Sequence, residues 1–103
     1  MNKRIEAHVN KAAKIIEKFP EIEKAVVIGN AMNDSFMIDY DDNIWIAIYT
    51  KPGTKISKIC CDLNDAFGKH EITGIDLYPM ADEDFYVAAH HLIDSGKIIF
   101  ERN

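Results

Sequence analysis

Cysteine, proline and glycine are all scarce in this chain, at two, three and five of 103 residues. The two cysteines, Cys60 and Cys61, are adjacent, so a bridge between them would be strained, and no second pair exists to build a disulfide framework or a zinc knuckle. Reduced, partly buried thiols are expected. Low Gly and Pro, with 48% hydrophobic and 28% charged residues, exclude a linker or a disordered tail. No run of 18 apolar residues occurs, and the opening MNKRIEAHVNK has no apolar core of the signal-peptide kind, so no membrane is expected and a cytoplasmic protein is. Cations are also in the minority, 12 Lys and Arg against 17 Asp and Glu for a net charge of -5, which disfavours direct binding to nucleic-acid phosphates. A chain of this length makes one domain, residues 1–103, with a modest core; any active site must be shallow or shared with a partner.

Hydrophobic periodicity divides the chain into helical and extended stretches. Ile5, Val9, Ala12, Ile16 and Phe19 recur at helical spacing and predict a helix over residues 2–19, stopped by Pro20. Ala25–Ile28 reads as a buried strand closed by Gly29-Asn30, and the stretch from Ala31 to Ile38 is ambiguous. The clearest strand is Asn43–Tyr49. Its alternation sends Ile44, Ile46 and Ile48 to one face and Asp41, Asn43, Trp45 and Ala47 to the other. Ile56, Ile59, Cys60, Leu63 and Phe67 form a helical stripe for which Gly68 is the expected stop. A strand over Ile72–Tyr78 directs Ile75 and Leu77 one way, Asp76 and Tyr78 the other, before Pro79. A last helix over Asp82–Asp94 opens on acidic residues that suit its N-terminus, and Lys97–Phe100 makes a short closing strand. The expected fold is therefore α/β (α+β), a mixed sheet of about four strands flanked by helices in the order αβαβαβαβ.

Chemistry points to the stretch from Ala25 to Thr50. It contains Asp34, Asp39, Asp41 and Asp42 but no Lys, Arg or His, a local charge of -4. Asp76 leads the polar face of another strand, so these carboxylates are candidates to converge at one end of a sheet, where crowded oxygens suit a hard cation such as Mg²⁺. Other polar residues carry simpler readings. His90 and His91 are neighbours on a helix, point about 100° apart and cannot share a facial metal site. Trp45, Tyr49 and Tyr78 are expected to pack in a core or against a partner, because no basic groove accompanies them to make a base-stacking platform.

The arrangement becomes more specific when spacing is included. Gly29-Asn30 is followed by ten residues, then by Asp41-x-Asn43 opening an apolar strand, and later by Gly74-Ile75-Asp76-Leu77. This resembles the minimal nucleotidyltransferase (MNT) family of the DNA polymerase β-like superfamily. Its members show a Gly-Ser turn, an Asp-x-Asp pair entering a strand and a third Asp in a Val-Asp-Leu-like strand. The similarity runs from about Ile22 to Arg102 and includes the closing Gly96-Lys97-Ile98-Ile99-Phe100-Glu101-Arg102.

By that resemblance Asp41 and Asp76 match catalytic, Mg²⁺-binding aspartates, Asn43 stands where the second Asp belongs, and Gly29 and Asn30 match the nucleotide-binding turn. Two Mg²⁺ ions roughly 4 Å apart would clamp a nucleoside triphosphate such as ATP in a site of this kind. Asn43 instead offers a neutral oxygen, Asn30 replaces the Ser, and Asp34 replaces a second Gly, so an incoming triphosphate meets acid rather than base. The resemblance thus implies a degenerate nucleotidyltransferase-like domain, a pseudoenzyme acting as a partner-binding module. Small family members are typically paired with a helical HEPN-type protein, as antitoxins in toxin–antitoxin pairs, so a HEPN-type partner or a homodimer is implied. The alternative is an active Mg²⁺-dependent enzyme that moves AMP from ATP to a protein hydroxyl.

Overall fold

The computed structural model describes residues 1–38 and 42–102. Along the chain these form α1 (Lys3–Ile16), β1 (Ile22–Ile28), a 3₁₀ turn (Gly29–Met32), β2 (Ile44–Thr50), α2 (Ile56–Lys69), β3 (Ile75–Pro79), α3 (Glu83–Ala89), a second 3₁₀ turn (His90–Leu92) and β4 (Lys97–Glu101). The class is α+β, a four-stranded mixed sheet in the order β3-β2-β1-β4 flanked by three α-helices. β1 runs antiparallel to both β2 and β4, while β2 and β3 are parallel. The helical element expected between the first two strands is the single 3₁₀ turn.

Each element follows from its residues. α1 starts because the Asn2 side chain accepts from the Ile5 backbone N–H at 2.9 Å, while its amide nitrogen donates to the carbonyls of Asp34 and Phe36. One N-cap thus also fastens the segment after the 3₁₀ turn. The helix ends at Ile16 rather than Phe19. The carbonyls of Glu17, Phe19 and Ile22 beyond it accept from the Arg102 guanidinium, which also lies over the Phe100 ring. Arg102 therefore ties the last strand to the α1–β1 turn.

Two boundaries differ from the sequence expectation for physical reasons. α2 passes through Gly68 and closes with Glu71 as its left-handed residue, at φ 58°. Ile72 N–H reaches Phe67 O at 2.9 Å and Glu71 N–H reaches Gly68 O at 3.2 Å, the paired bonds of a Schellman cap. Phe67 and Ile72 are both buried in one cluster, so their hydrophobic contact fixes the stop and overrides the glycine signal. The helix expected over Asp82–Asp94 is likewise shorter. Asp82 caps it by accepting from Asp84 N–H, and a 3₁₀ turn replaces its second half.

The alternation read from Ile44, Ile46 and Ile48 is present: with Ala25 and Val27 they face α1 and α2 in the larger core cluster. Val26, Ile28 and Ala47 face the opposite side with Met80 and Ala89, flanked by Trp45, Tyr49, Tyr78, Leu92 and Ile93. α3 is half the length of α1 or α2, so this second face is less completely covered. Phe85, Tyr86 and Val87 on α3 and Ile98 on β4 remain exposed beside it.

Candidate functional site

Antiparallel β1–β2 and parallel β2–β3 pairing bring three chain segments to one end of the sheet. Gly29 and Asn30 follow the last residue of β1, Asn43 directly precedes β2, and Asp76 is the second residue of β3. The registers align Ile28 with Trp45 and Trp45 with Asp76, so Trp45 stands between the glycine turn and the carboxylate. Asp41, like Asp39, lies outside the described residues.

Asn43 and Asp76 meet directly. The Asn43 side-chain amide donates to one carboxylate oxygen of Asp76 at 3.0 Å, and both residues are exposed. Turning the amide over would set its oxygen against the carboxylate, so the donating orientation is the one that chemistry selects. The Asn43 backbone N–H donates to the Asp42 carboxylate at 2.7 Å. Asp76 therefore has a hydrogen-bond donor where the resemblance would place a second cation-binding carboxylate. As arranged, the Asn43–Asp76 pair does not present two oxygens to a common metal ion, and it does not fit the bridging position of a two-metal site. Among the described residues no three His, Cys, Asp or Glu side chains gather closely enough to hold a metal.

Backbone geometry holds the pair in place. Gly74 takes φ +75°, a region costly for L-residues, and its carbonyl accepts from Ile44 N–H at 2.7 Å. A Cβ there would come within 2.8 Å of the Ile38 side chain. Gly74→Ala is expected to lower the unfolding free energy by about 2 kcal/mol from the left-handed backbone and the Ile38 clash together. A denaturant titration checks this, and a loss within error of zero would show that the Gly74 turn does not set the geometry. Gly29 is similar, with φ +76° and the Trp45 ring 3.0 Å from where a Cβ would lie.

An aromatic row adjoins the pair. Trp45 and Tyr78 have ring centroids 5.2 Å apart, and Phe85 of α3 meets Tyr78 edge-on at 5.6 Å. Burial raises the Tyr78 pKa, with Asp76 and Asp42 adding to it. Tyr49, grouped with Trp45 and Tyr78 in the sequence expectation, instead receives the Lys24 ammonium over its ring; burial and then Tyr86 raise its pKa. Phe85 joins the row from α3, where it precedes the buried Ala89 by four residues, the helical spacing that puts both on one face.

Beside Asp76 an open cleft of about 520 Å³ runs between α2 and α3, with Ile75, Leu77 and Pro79 of β3 along its floor. Cys60 lines it, half-buried, with its thiol pKa raised by burial and then by Cys61, so the thiol is protonated and poorly nucleophilic. Cys61 is exposed, and both cysteines are free. His90 and His91 are exposed; His90 stacks on Tyr86 at 4.9 Å and bonds the Tyr86 carbonyl through Nδ1.

Among the described residues no helix is long and apolar enough to cross a membrane. Comparison with protein families, with curated proteins and with solved structures finds no match to this chain.

Proposed function

We propose that this chain is a degenerate minimal nucleotidyltransferase-like domain that works in the cytoplasm as a partner-binding module, in the manner of an antitoxin paired with a HEPN-type helical protein. The hydrogen bond from Asn43 to Asp76 carries the reading. A catalytic pair of the family kind needs oxygens free for Mg²⁺, whereas here an amide N–H answers the carboxylate, and no cationic side chain lines the adjoining cleft to receive a triphosphate. Apolar side chains left exposed on α3 and β4 supply surface for a protein partner instead. The same acidity argues against nucleic acid as the direct partner.

Calorimetric titration of ATP, with and without Mg²⁺, tests the reading. No heat is expected at millimolar ATP, and Asp41→Ala is expected to leave partner association unchanged. Magnesium-dependent ATP binding that Asp41→Ala abolishes would overturn the proposal and favour AMP transfer to a protein hydroxyl, with Asp41, Asn43 and Asp76 as its site.

A further inference from the structure

β3 is an edge strand, and the direction of its backbone can be read from its two ends. Gly74 O accepts from Ile44 N–H, and Met80 N–H donates to Ile48 O. Backbone groups alternate sides along a strand, so Asp76 and Tyr78 also turn theirs toward β2, whereas Ile75, Leu77 and Pro79 turn theirs outward. Pro79 has no N–H, and its carbonyl accepts from Asp82 N–H at 3.0 Å. Among the described residues, the N–H and C=O of Ile75 and Leu77 are left without a partner, as an unpaired edge presents them.

This edge lies in the cleft rather than on a bare rim. Ile56 and Cys60 of α2 flank it on one side with the side chains of Ile75 and Leu77; Phe85 and Asp82 flank it on the other, where Asp76 points. The β2, β3 and α3 side of it is acidic, while α2 on the other side carries Lys58, paired with Asp62, and Lys69, with Lys55 at its N-cap. No Lys or Arg occurs from Ala25 to Thr50 or from His70 to Gly96, and these two stretches supply β2, β3 and α3. All 12 cations are carried elsewhere. Only the first of these gaps stands out on reading the chain; the second becomes visible when β2 and β3 are seen side by side.

We infer that the β3 edge is a strand-addition site for an extended, basic segment of a protein partner, about five residues long, in which apolar residues alternate with Lys or Arg. Period-two alternation matches the two walls: apolar side chains enter the α2 side beside Ile75, Leu77 and Ile56, and cationic ones reach Asp76, Asp82 and the Phe85 ring. A second copy of this chain fits poorly. The antiparallel register that uses both Ile75 and Leu77 on each copy places Asp76 opposite Asp76, a like-charge pair at close range. The inference rests on the partner-binding reading and adds where and how the partner is held.

The test uses the full chain with an acetylated peptide, Lys-Val-Lys-Ile-Lys-Val. Its controls are the peptide with Glu in place of Lys, and one N-methylated on the amides that would bond β3. Amide hydrogen exchange by NMR is expected to slow at least tenfold at Ile75 and Leu77 with the Lys peptide and to be unchanged with either control. Asp76→Asn, which keeps an oxygen able to accept from Asn43, is expected to weaken the Lys peptide several-fold. Failure of the Lys peptide to bind, or binding that N-methylation leaves intact, would overturn strand addition. Slowed exchange at the same two amides without peptide, with concentration-dependent association, would assign the edge to a second copy and overturn it too. These failures leave the partner-binding reading standing, because that reading is tested by magnesium and ATP binding, which the peptide experiment does not touch.

Discussion

Ile46→Ala is expected to lower the unfolding free energy by about 3–4 kcal/mol, within the usual span for truncating a fully buried aliphatic side chain. Ile46 is 0% exposed, lies on a central strand, and is paired with Val27 on β1 and Leu77 on β3. Its side chain enters the cluster that joins the sheet to α1 and α2, and strand pairing on both sides limits how far the backbone can collapse into the void. In a domain of this size that loss corresponds to a melting temperature lower by roughly 15–25 °C. Ile98→Ala is the matched control. Ile98 is 49% exposed on the β4 edge, so the same kind of truncation there is expected to cost under about 1 kcal/mol. Denaturant midpoints of both variants decide the matter. Equal losses would mean that the second face of the sheet carries as much of the core as the first.

That contrast also marks what the sequence made legible. Residues 44–48 are an unbroken apolar strand whose isoleucines fall on one face, and the pattern needed no tertiary information to read. β1 was harder: it begins at Ile22, not Ala25, because Glu23 and Lys24 interrupt the apolar run and a register shift between Ile22 and Lys24 accommodates them. β3 includes Pro79, which a strand rule would exclude. It is tolerated because its nitrogen faces the open edge and no ladder bond is lost. The Gly68 stop failed for the opposite reason, since burial of Phe67 and Ile72 decided where α2 closes and a glycine was only one way to do it.

The site divides in the same manner. That Asn43 and Asp76 lead the polar faces of two strands was readable from alternation, whereas their placement near the Gly29-Asn30 turn depends on the strand order β3-β2-β1-β4. Their direct hydrogen bond was not, because it depends on the stagger between parallel β2 and β3, which puts Ile44 opposite Ile75. The charge pattern shows how topology adds information to composition. Two cation-free stretches far apart in sequence come to lie side by side only because β3 returns beside β2. Such a surface raises the on-rate of a basic partner and repels nucleotide and nucleic-acid phosphates, so one charge distribution serves both halves of the proposed function.

Asn43→Asp converts the site's self-satisfied pair into a question about metal. The variant loses the amide donor and sets a carboxylate within about hydrogen-bond range of Asp76, with Asp42 adjacent, and no cationic side chain of the β2–β3–α3 region offsets them. Both positions are exposed, so water screens the repulsion; the penalty expected at neutral pH and low salt is about 1 kcal/mol. Like charges raise the apparent pKa of such a pair in the folded state above its unfolded value. The folded variant then binds a proton more readily than the unfolded chain, so the penalty shrinks as pH falls through that raised pKa and is fully present above it. Divalent cation is the other remedy. Millimolar Mg²⁺ is expected to restore the variant's stability at pH 7 and to bind it at least about tenfold more tightly than the unaltered chain, whose stability it leaves unchanged. Denaturant midpoints at two pH values, each with and without Mg²⁺, separate the outcomes. Recovery by acid and by Mg²⁺ alike would show that one carboxylate is all that stands between this geometry and a cation site. Recovery by acid alone would mean that the two side chains face each other rather than a common ion. Tight Mg²⁺ binding by the unaltered chain would make the Asn43 oxygen a ligand already, and the partner-binding reading would yield to catalysis.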